Sequence, residues 1–203
     1  MDINVPGENL LIQIDNIFTK SECKKLIKHA EKTGWHQPGT GGSYLRSMLI
    51  STHFAKLLEK RIGKYIPKIY DAVYYSNGKP LKSYQWQYVG INDHFRFSKY
   101  SHNGKFPMHN DGQNFDKDDN QSYMTINIFL NDDFNGGETE FYHDPEYKPD
   151  GAFESRFVVD PKIGRGALFF HDQAHTGNKV KNGYKYLIRT DVMGRQIGEK
   201  YLK

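Results

Sequence analysis

The sequence predicts a mainly β (α+β) domain: an open-mouthed jelly roll with N-terminal helices supporting one sheet. Three observations carry this. Seven short runs rich in Phe, Tyr, Ile, Val and Thr follow Pro80, separated by turn residues such as Asn103-Gly104, Asn135-Gly136-Gly137 and Asn182-Gly183. Two stretches ahead of Pro80 carry helical periodicity instead. No internal repeat, low-complexity tract or long linker divides the 203 residues. A single domain over 1–203 is therefore expected, with a helical support region over 1–80 and the jelly-roll core over 81–195.

The elements follow in order. Leu10 to Asp15 reads as a short strand. Thr19 and Ser21 offer caps to a helix in which Cys23, Leu26, Ile27 and Ala30 share one side, and Gly34 ends it. Pro38 to Ser43 is a glycine-rich turn, expected to be mobile. A second helix runs from His53 to about Tyr65, with Phe54, Leu57, Leu58, Arg61 and Ile62 along one side, and Pro67 closes it. Ser76 to Pro80 is again turn-rich and expected to be mobile. The strands expected next are Gln85 to Val89, Phe95 to Tyr100, Ser122 to Leu130, Glu138 to Tyr142, Phe153 to Val159, Ala167 to Phe170 and Lys185 to Met193. Short strands at this spacing close into a sandwich or barrel, and helices pack on one layer.

Composition excludes several classes. No window approaches 18 consecutive apolar residues, so no transmembrane helix is expected. Aromatics make up 14% of the chain, too many for a disordered one. Cys23 stands alone, which excludes a disulfide framework and a cysteine-based zinc or iron–sulfur site. The net charge of +4 comes from 28 basic and 24 acidic residues with no basic cluster, which argues against a nucleic-acid partner. The first seven residues, MDINVPG, hold an acid where a secretory leader would be basic. A reducing, cytoplasmic compartment and no membrane association are expected.

One constellation carries chemistry. His109-Asn110-Asp111 follows a strand and a turn, and residues two apart on a strand face the same way. His175 lies 64 residues after Asp111, beyond the apolar strand Ala167 to Phe170. Two neutral imidazoles and one carboxylate leave three coordination positions open on a metal, the facial arrangement of non-haem Fe(II) oxygenases. A bare His-x-Asp occurs by chance in many proteins. The downstream context strengthens it: Lys185 and Arg189 follow His175 by 10 and 14 residues on one face of one strand. A cation there can pair with the distal carboxylate of a dicarboxylate chelating the metal. His171, four residues before His175, also follows the apolar strand and reads as a supporting histidine. Arg46 is a candidate for a lid or substrate contact but reads first as a surface arginine. Trp35 and Trp86 read as core or rim aromatics.

Three stretches resemble the Fe(II)/2-oxoglutarate-dependent dioxygenases, in their prolyl 4-hydroxylase-like branch. Phe95 to Tyr100 with Gly104 and Phe106 leads into His109-x-Asp111-Gly112. Ile128 to Phe134, Gly136-Gly137-Glu138-Thr139 and Phe141 are similar to the family's central strand, turn and strand. Gly166 to His171, His175-x-Gly177, Val180, Gly183, Lys185-Tyr186 and the tail Arg189 to Met193 are similar to its final metal-histidine segment and cosubstrate strand. The resemblance covers about residues 85–195 and implies a double-stranded β-helix.

What the resemblance implies is specific. His109, Asp111 and His175 match the metal ligands, and Lys185 the residue that anchors 2-oxoglutarate. Tyr100 sits where family members often place a tyrosine that helps this contact. Thr125 and Asn127 would line the cosubstrate pocket with Phe129, where related hydroxylases often carry a tyrosine. Arg189 would point into the same pocket and supplement or replace Lys185. The cofactors implied are Fe(II), 2-oxoglutarate and O2, with L-ascorbate as a candidate reductant. The activity implied is hydroxylation of a C–H bond with release of succinate and CO2, on a proline-containing protein or peptide. Two alternatives stand beside it: the same chemistry on another side chain, a nucleobase or a small molecule, and a jelly-roll binding module without catalysis.

Overall fold

The computed structural model describes residues 9–39, 41–76, 79–143 and 153–201. The first seven residues lie outside these, as do Thr40, Asn77 and Gly78 of the two turns expected to move. The chain opens with β1 (Leu11–Ile14), α1 (Lys20–Thr33), β2 (Leu45–Ile50) and α2 (Thr52–Ile62), which a 3-10 turn extends over Gly63–Tyr65. Then come β3 (Ile69–Ser76), β4 (Lys79–Ile91), β5 (His94–Tyr100), β6 (Phe106–His109), β7 (Gln121–Phe129), β8 (Asn135–Gly136) and β9 (Thr139–Tyr142). The last are β10 (Ser155–Val159), β11 (Gly166–Phe170), β12 (His175–Gly177), β13 (Val180–Asn182) and β14 (Lys185–Tyr201).

Local chemistry sets both helices. Thr19 caps α1 in a capping box: its hydroxyl accepts from Glu22 N, and Glu22 returns a carboxylate oxygen to Thr19 N at 2.8 Å. Ser51 caps α2 by accepting from Phe54 N at 3.1 Å. Arg61 of α2 ties the two helices together through Glu22 at 2.6 Å. Among the described residues, no helix is long and apolar enough to cross a membrane.

The strands form a double-stranded β-helix. The major sheet has eight strands. Its path runs β1-β11-β7-β14-β4-β3, and β5 leaves β14 to pair with β2. The minor sheet runs β10-β9-β12-β6, and β13 pairs with β8 in a short ribbon. The helices and the outer face of the major sheet enclose the larger apolar core, which includes Phe95, Phe97, Met124, Ile126, Ile188 and Val192. Trp86 belongs to this core and stacks on Tyr123 with centroids 5.3 Å apart and rings 2° from parallel. Each such buried aromatic contributes roughly 1.5–3 kcal/mol. A smaller cluster around Phe129, Phe141 and Phe169 lies between the two sheets.

Residues 9–80 supply more than helices: β1, β2 and β3 all enter the major sheet. Leu45 to Ile50 and Ile69 to Ser76 are strands that helix-centred periodicity passes over, because a half-buried strand of six to eight residues shows only weak alternation. The final strand runs eight residues beyond Met193, since Arg195 to Tyr201 finds a partner in β4. One backbone contact explains a turn: Gly164 has φ +76°, and a Cβ there would lie 2.0 Å from Phe18 O.

Candidate active site

The cavity between the sheets is built from registered neighbours. On β14, Lys185 stands opposite Tyr100, Leu187 opposite Ser98 and Arg189 opposite Arg96, all on β5. On the other side of β14, Leu187 meets Phe129, Arg189 meets Asn127 and Asp191 meets Thr125 of β7. Two-residue periodicity turns alternate members of each strand toward the minor sheet. On that sheet His175 of β12 lies directly opposite His109 of β6, with ring centroids 4.2 Å apart. Asp111 follows β6 and is fastened by its backbone N–H to His171 O at 2.9 Å.

The structure thus brings one atom each of His109, Asp111 and His175 within 4.8 Å of one another. Both imidazoles are oriented by their own strands. His109 Nδ1 donates to Pro107 O and His175 Nδ1 to Gln173 O, each at 2.9 Å. A carbonyl only accepts, so each Nδ1 carries the proton and each Nε2 keeps a free lone pair. The two Nε2 atoms lie 3.5 and 4.0 Å from the Asp111 carboxylate. Burial lowers the His175 pKa to about 4, so the ring is neutral at physiological pH. Burial opposes the charge on Asp111, but the Arg189 guanidinium and the hydrogen bond from Thr125 hold its pKa well below the usual carboxylate range. Thr125 Oγ1 donates to Asp111 Oδ2 at 2.6 Å, while Oδ1 is buried without a hydrogen bond. Two neutral nitrogens and an ionised carboxylate suit a divalent borderline metal such as Fe(II).

Lys185 is completely buried. Its Nζ donates to Gly137 O at 2.7 Å and sits 5.0 and 5.1 Å from the Tyr100 and Phe129 ring centroids. Burial lowers its pKa to about 7, with Glu138 opposing. Arg189 lies lower in the same cavity, with Nη1 2.7 Å from Asp111 Oδ1 and Nη2 3.3 Å from Asp191 Oδ1. Burial raises the pKa of the Tyr100 hydroxyl, and the ring stacks on Tyr44 at 5.1 Å. Asn127 lines the cavity. Asp191 is fully buried and also pairs with Arg96 at 3.0 Å.

Sequence reasoning misjudged Arg46, which lines the cavity instead of the outer surface. It sits on β2 opposite Ser98, a strand that the helical pattern hid. Tyr44, Arg96 and Ser98 also line the cavity and were not singled out. The alternation of Arg96, Ser98 and Tyr100 on β5 was a usable signal. His171 is buried behind the cavity, 3.9 Å from Asp191, and both ring nitrogens lack a hydrogen-bond partner. Trp35 is half-buried and donates to Glu31 at 3.0 Å. His143 follows β9, and Asp144 lies outside the described residues.

Comparison with known proteins agrees with this geometry. Residues 95–190 match the 2OG-Fe(II) oxygenase superfamily. No curated protein sequence matches the chain. Among solved structures, a viral collagen prolyl hydroxylase from Paramecium Bursaria Chlorella virus-1, in its 2OG complex, is similar at 16% identity and a TM-score of 0.60, over 93% of this chain and 97% of that one. A prolyl hydroxylase from Trichoplax adhaerens, with a hypoxia inducible factor peptide fragment, is similar at 13% identity and a TM-score of 0.62, over 90% and 83%. A Pseudomonas putida prolyl-4-hydroxylase gives 12% and 0.58, over 91% and 92%. At these identities the likeness shows the fold.

Proposed function

We propose, on the premise that the chain is a 2OG-Fe(II) oxygenase through residues 95–190, that it hydroxylates a prolyl C–H bond with release of succinate and CO2. The observation that carries the reading is one cavity holding His109, His175 and the buried Lys185 beside Asp111. The prolyl part is supported by the prolyl hydroxylases among its structural neighbours.

His109, Asp111 and His175 would hold Fe(II) through two Nε2 atoms and a carboxylate oxygen. Bound Fe(II), with 2-oxoglutarate and O2, supplies the oxidation. The remaining work belongs to the chain. Lys185 takes the distal carboxylate of 2-oxoglutarate, and Tyr100 and Phe129 wall off its ammonium from water. Thr125 orients Asp111 by donating to Oδ2. Asn127 and Arg189 shape the floor, and Arg189 balances the charge of Asp111 and Asp191. Incubating candidate proline peptides with the protein, Fe(II), 2-oxoglutarate and O2 should give a product heavier by one oxygen atom in the mass spectrum. Succinate formation that no proline peptide stimulates, with no oxidised prolyl product, would sink the prolyl assignment and leave the oxygenase chemistry standing.

The lowered Lys185 pKa sets a pH dependence. Free, the ammonium is present below about pH 7 and lost above it. A bound carboxylate favours the charged form, so cosubstrate binding takes up a proton above that pH. Affinity for 2-oxoglutarate on Mn(II)-loaded protein should be greatest below pH 7. It should weaken by up to about tenfold per pH unit above that, as proton linkage requires. Calorimetry in buffers of different ionisation enthalpy measures the uptake directly. A flat affinity from neutral to alkaline pH counts against Lys185 as the titrating anchor.

A further inference from the structure

The cavity holds more positive charge than the proposed metal and cosubstrate use. Four cations line it: Lys185, Arg189, Arg96 and Arg46. A divalent metal and dianionic 2-oxoglutarate neutralise each other. Only Asp111 and Asp191 then remain, and Arg189 and Arg96 take both. Two positive charges are then in excess, on Lys185 and Arg46, and Lys185 is the one proposed above to take the distal carboxylate of the cosubstrate. Arg46 is left over: among the described residues, no carboxylate lies within ion-pair distance of it.

Arg46 is nonetheless firmly placed. Its backbone N–H and C=O bond to His36 at 2.8 and 2.9 Å, which fixes the strand edge. Its Nη2 donates to the Tyr44 hydroxyl, and its guanidinium carbon lies 5.5 Å from that ring's centroid. Tyr44 is pinned between Tyr100 at 5.1 Å and Phe106 at 5.4 Å. Gly42 makes room for this: a Cβ there would come within 2.6 Å of the Phe106 ring and 2.7 Å of Tyr44. Arg46 Nε is buried with no hydrogen-bond partner. A held guanidinium with an unfilled buried donor leaves desolvation uncompensated until an acceptor arrives. Its planar fork fits a carboxylate with two parallel hydrogen bonds.

We infer that Arg46, held by Tyr44, selects a substrate bearing its own carboxylate, so that the prolyl group hydroxylated has a free α-carboxylate and is not internal to a chain. This rests on the prolyl reading above. Both free L-proline and a peptide ending in proline carry that group. The terminal peptide brings the carboxylate without an adjacent ammonium.

The test is calorimetric binding to protein loaded with Mn(II) and 2-oxoglutarate, which reports affinity without turnover. The ligands are L-proline, a peptide with a free C-terminal proline, the same peptide amidated, a peptide with internal proline, and acid–amide pairs of non-prolyl residues. The free acid should bind roughly tenfold or more tightly than its amide, the scale of a charged hydrogen bond. Arg46→Ala should erase that preference, and Arg46→Lys should restore part of it as a point charge. Free proline and the terminal peptide separate the two sources of the carboxylate. Equal binding of every acid and its amide, or a preference that survives in Arg46→Ala with an unchanged melting temperature, overturns the assignment. So does a loss of 2-oxoglutarate affinity in Arg46→Ala, which would give Arg46 to the cosubstrate. If only the non-prolyl acids show the preference, the prolyl reading fails while Arg46 keeps its role.

Discussion

His175→Ala should abolish Fe(II) binding and 2-oxoglutarate turnover together, whereas His171→Ala should still bind metal. The two histidines lie four residues apart after the same apolar strand and are equally buried. Geometry separates them. His175 is in register with His109, and its Nε2 lies 4.0 Å from Asp111 with Nδ1 engaged by Gln173 O. The His171 ring faces Asp191, and its link to Asp111 is made by its backbone carbonyl. Alanine keeps that carbonyl. The His171 substitution therefore removes buried ring volume and costs stability, with at most the roughly 10–100-fold loss of metal affinity seen when an outer partner is removed. Anaerobic Fe(II) titration beside thermal melting checks both variants. Metal binding that survives in His175→Ala and vanishes in a folded His171→Ala would reverse the assignment.

The strand half of the fold was legible because its strands are short, aromatic and β-branched, and punctuated by Gly-containing turns. The register of β14 against β5 and β7 could not be read from spacing alone, yet it turns Lys185, Arg189, Asn127 and Thr125 into one surface. His109-x-Asp111 was visible because a two-residue step is local. Arg46 was not, because its position depends on β2 pairing with β5 about 50 residues away. Asp191 and Arg96 share the same cause. Their ion pair joins residues that only the sheet brings together, and a buried carboxylate looks like any other acid in a sequence. Helix caps were legible at Thr19, where hydroxyl and acid sit at the spacing a capping box demands.

Lys185→Ala should raise the KM for 2-oxoglutarate by at least ~10-fold while Fe(II) binding survives, and Arg189→Ala should do the reverse in kind. The two residues lie four apart on β14, about 13 Å along the strand at ~3.3 Å per residue. Their surroundings divide the work. Lys185 Nζ is shut between the rings of Tyr100 and Phe129, with one hydrogen bond to Gly137 O and no carboxylate within ion-pair distance among the described residues. Such an ammonium is poorly compensated, which is why burial brings its pKa down to about 7. An incoming carboxylate supplies the missing charge where water is excluded and the contact is strongest. Losing a charged hydrogen bond there costs about 1.5–3 kcal/mol, and each ~1.4 kcal/mol is tenfold. Arg189 already has two acids, and the nearer is Asp111 at 2.7 Å. Its removal leaves Asp111 and Asp191 without that balance and acts on the metal ligand first, so the change should appear in Fe(II) affinity before it appears in the KM for 2-oxoglutarate. Steady-state kinetics across 2-oxoglutarate concentrations, paired with metal titration of each variant, separates the two. If Arg189→Ala destroys cosubstrate binding and Lys185→Ala leaves it unchanged, the anchor is Arg189, and the Lys185 ammonium is a structural cation bonded to the Gly137 carbonyl.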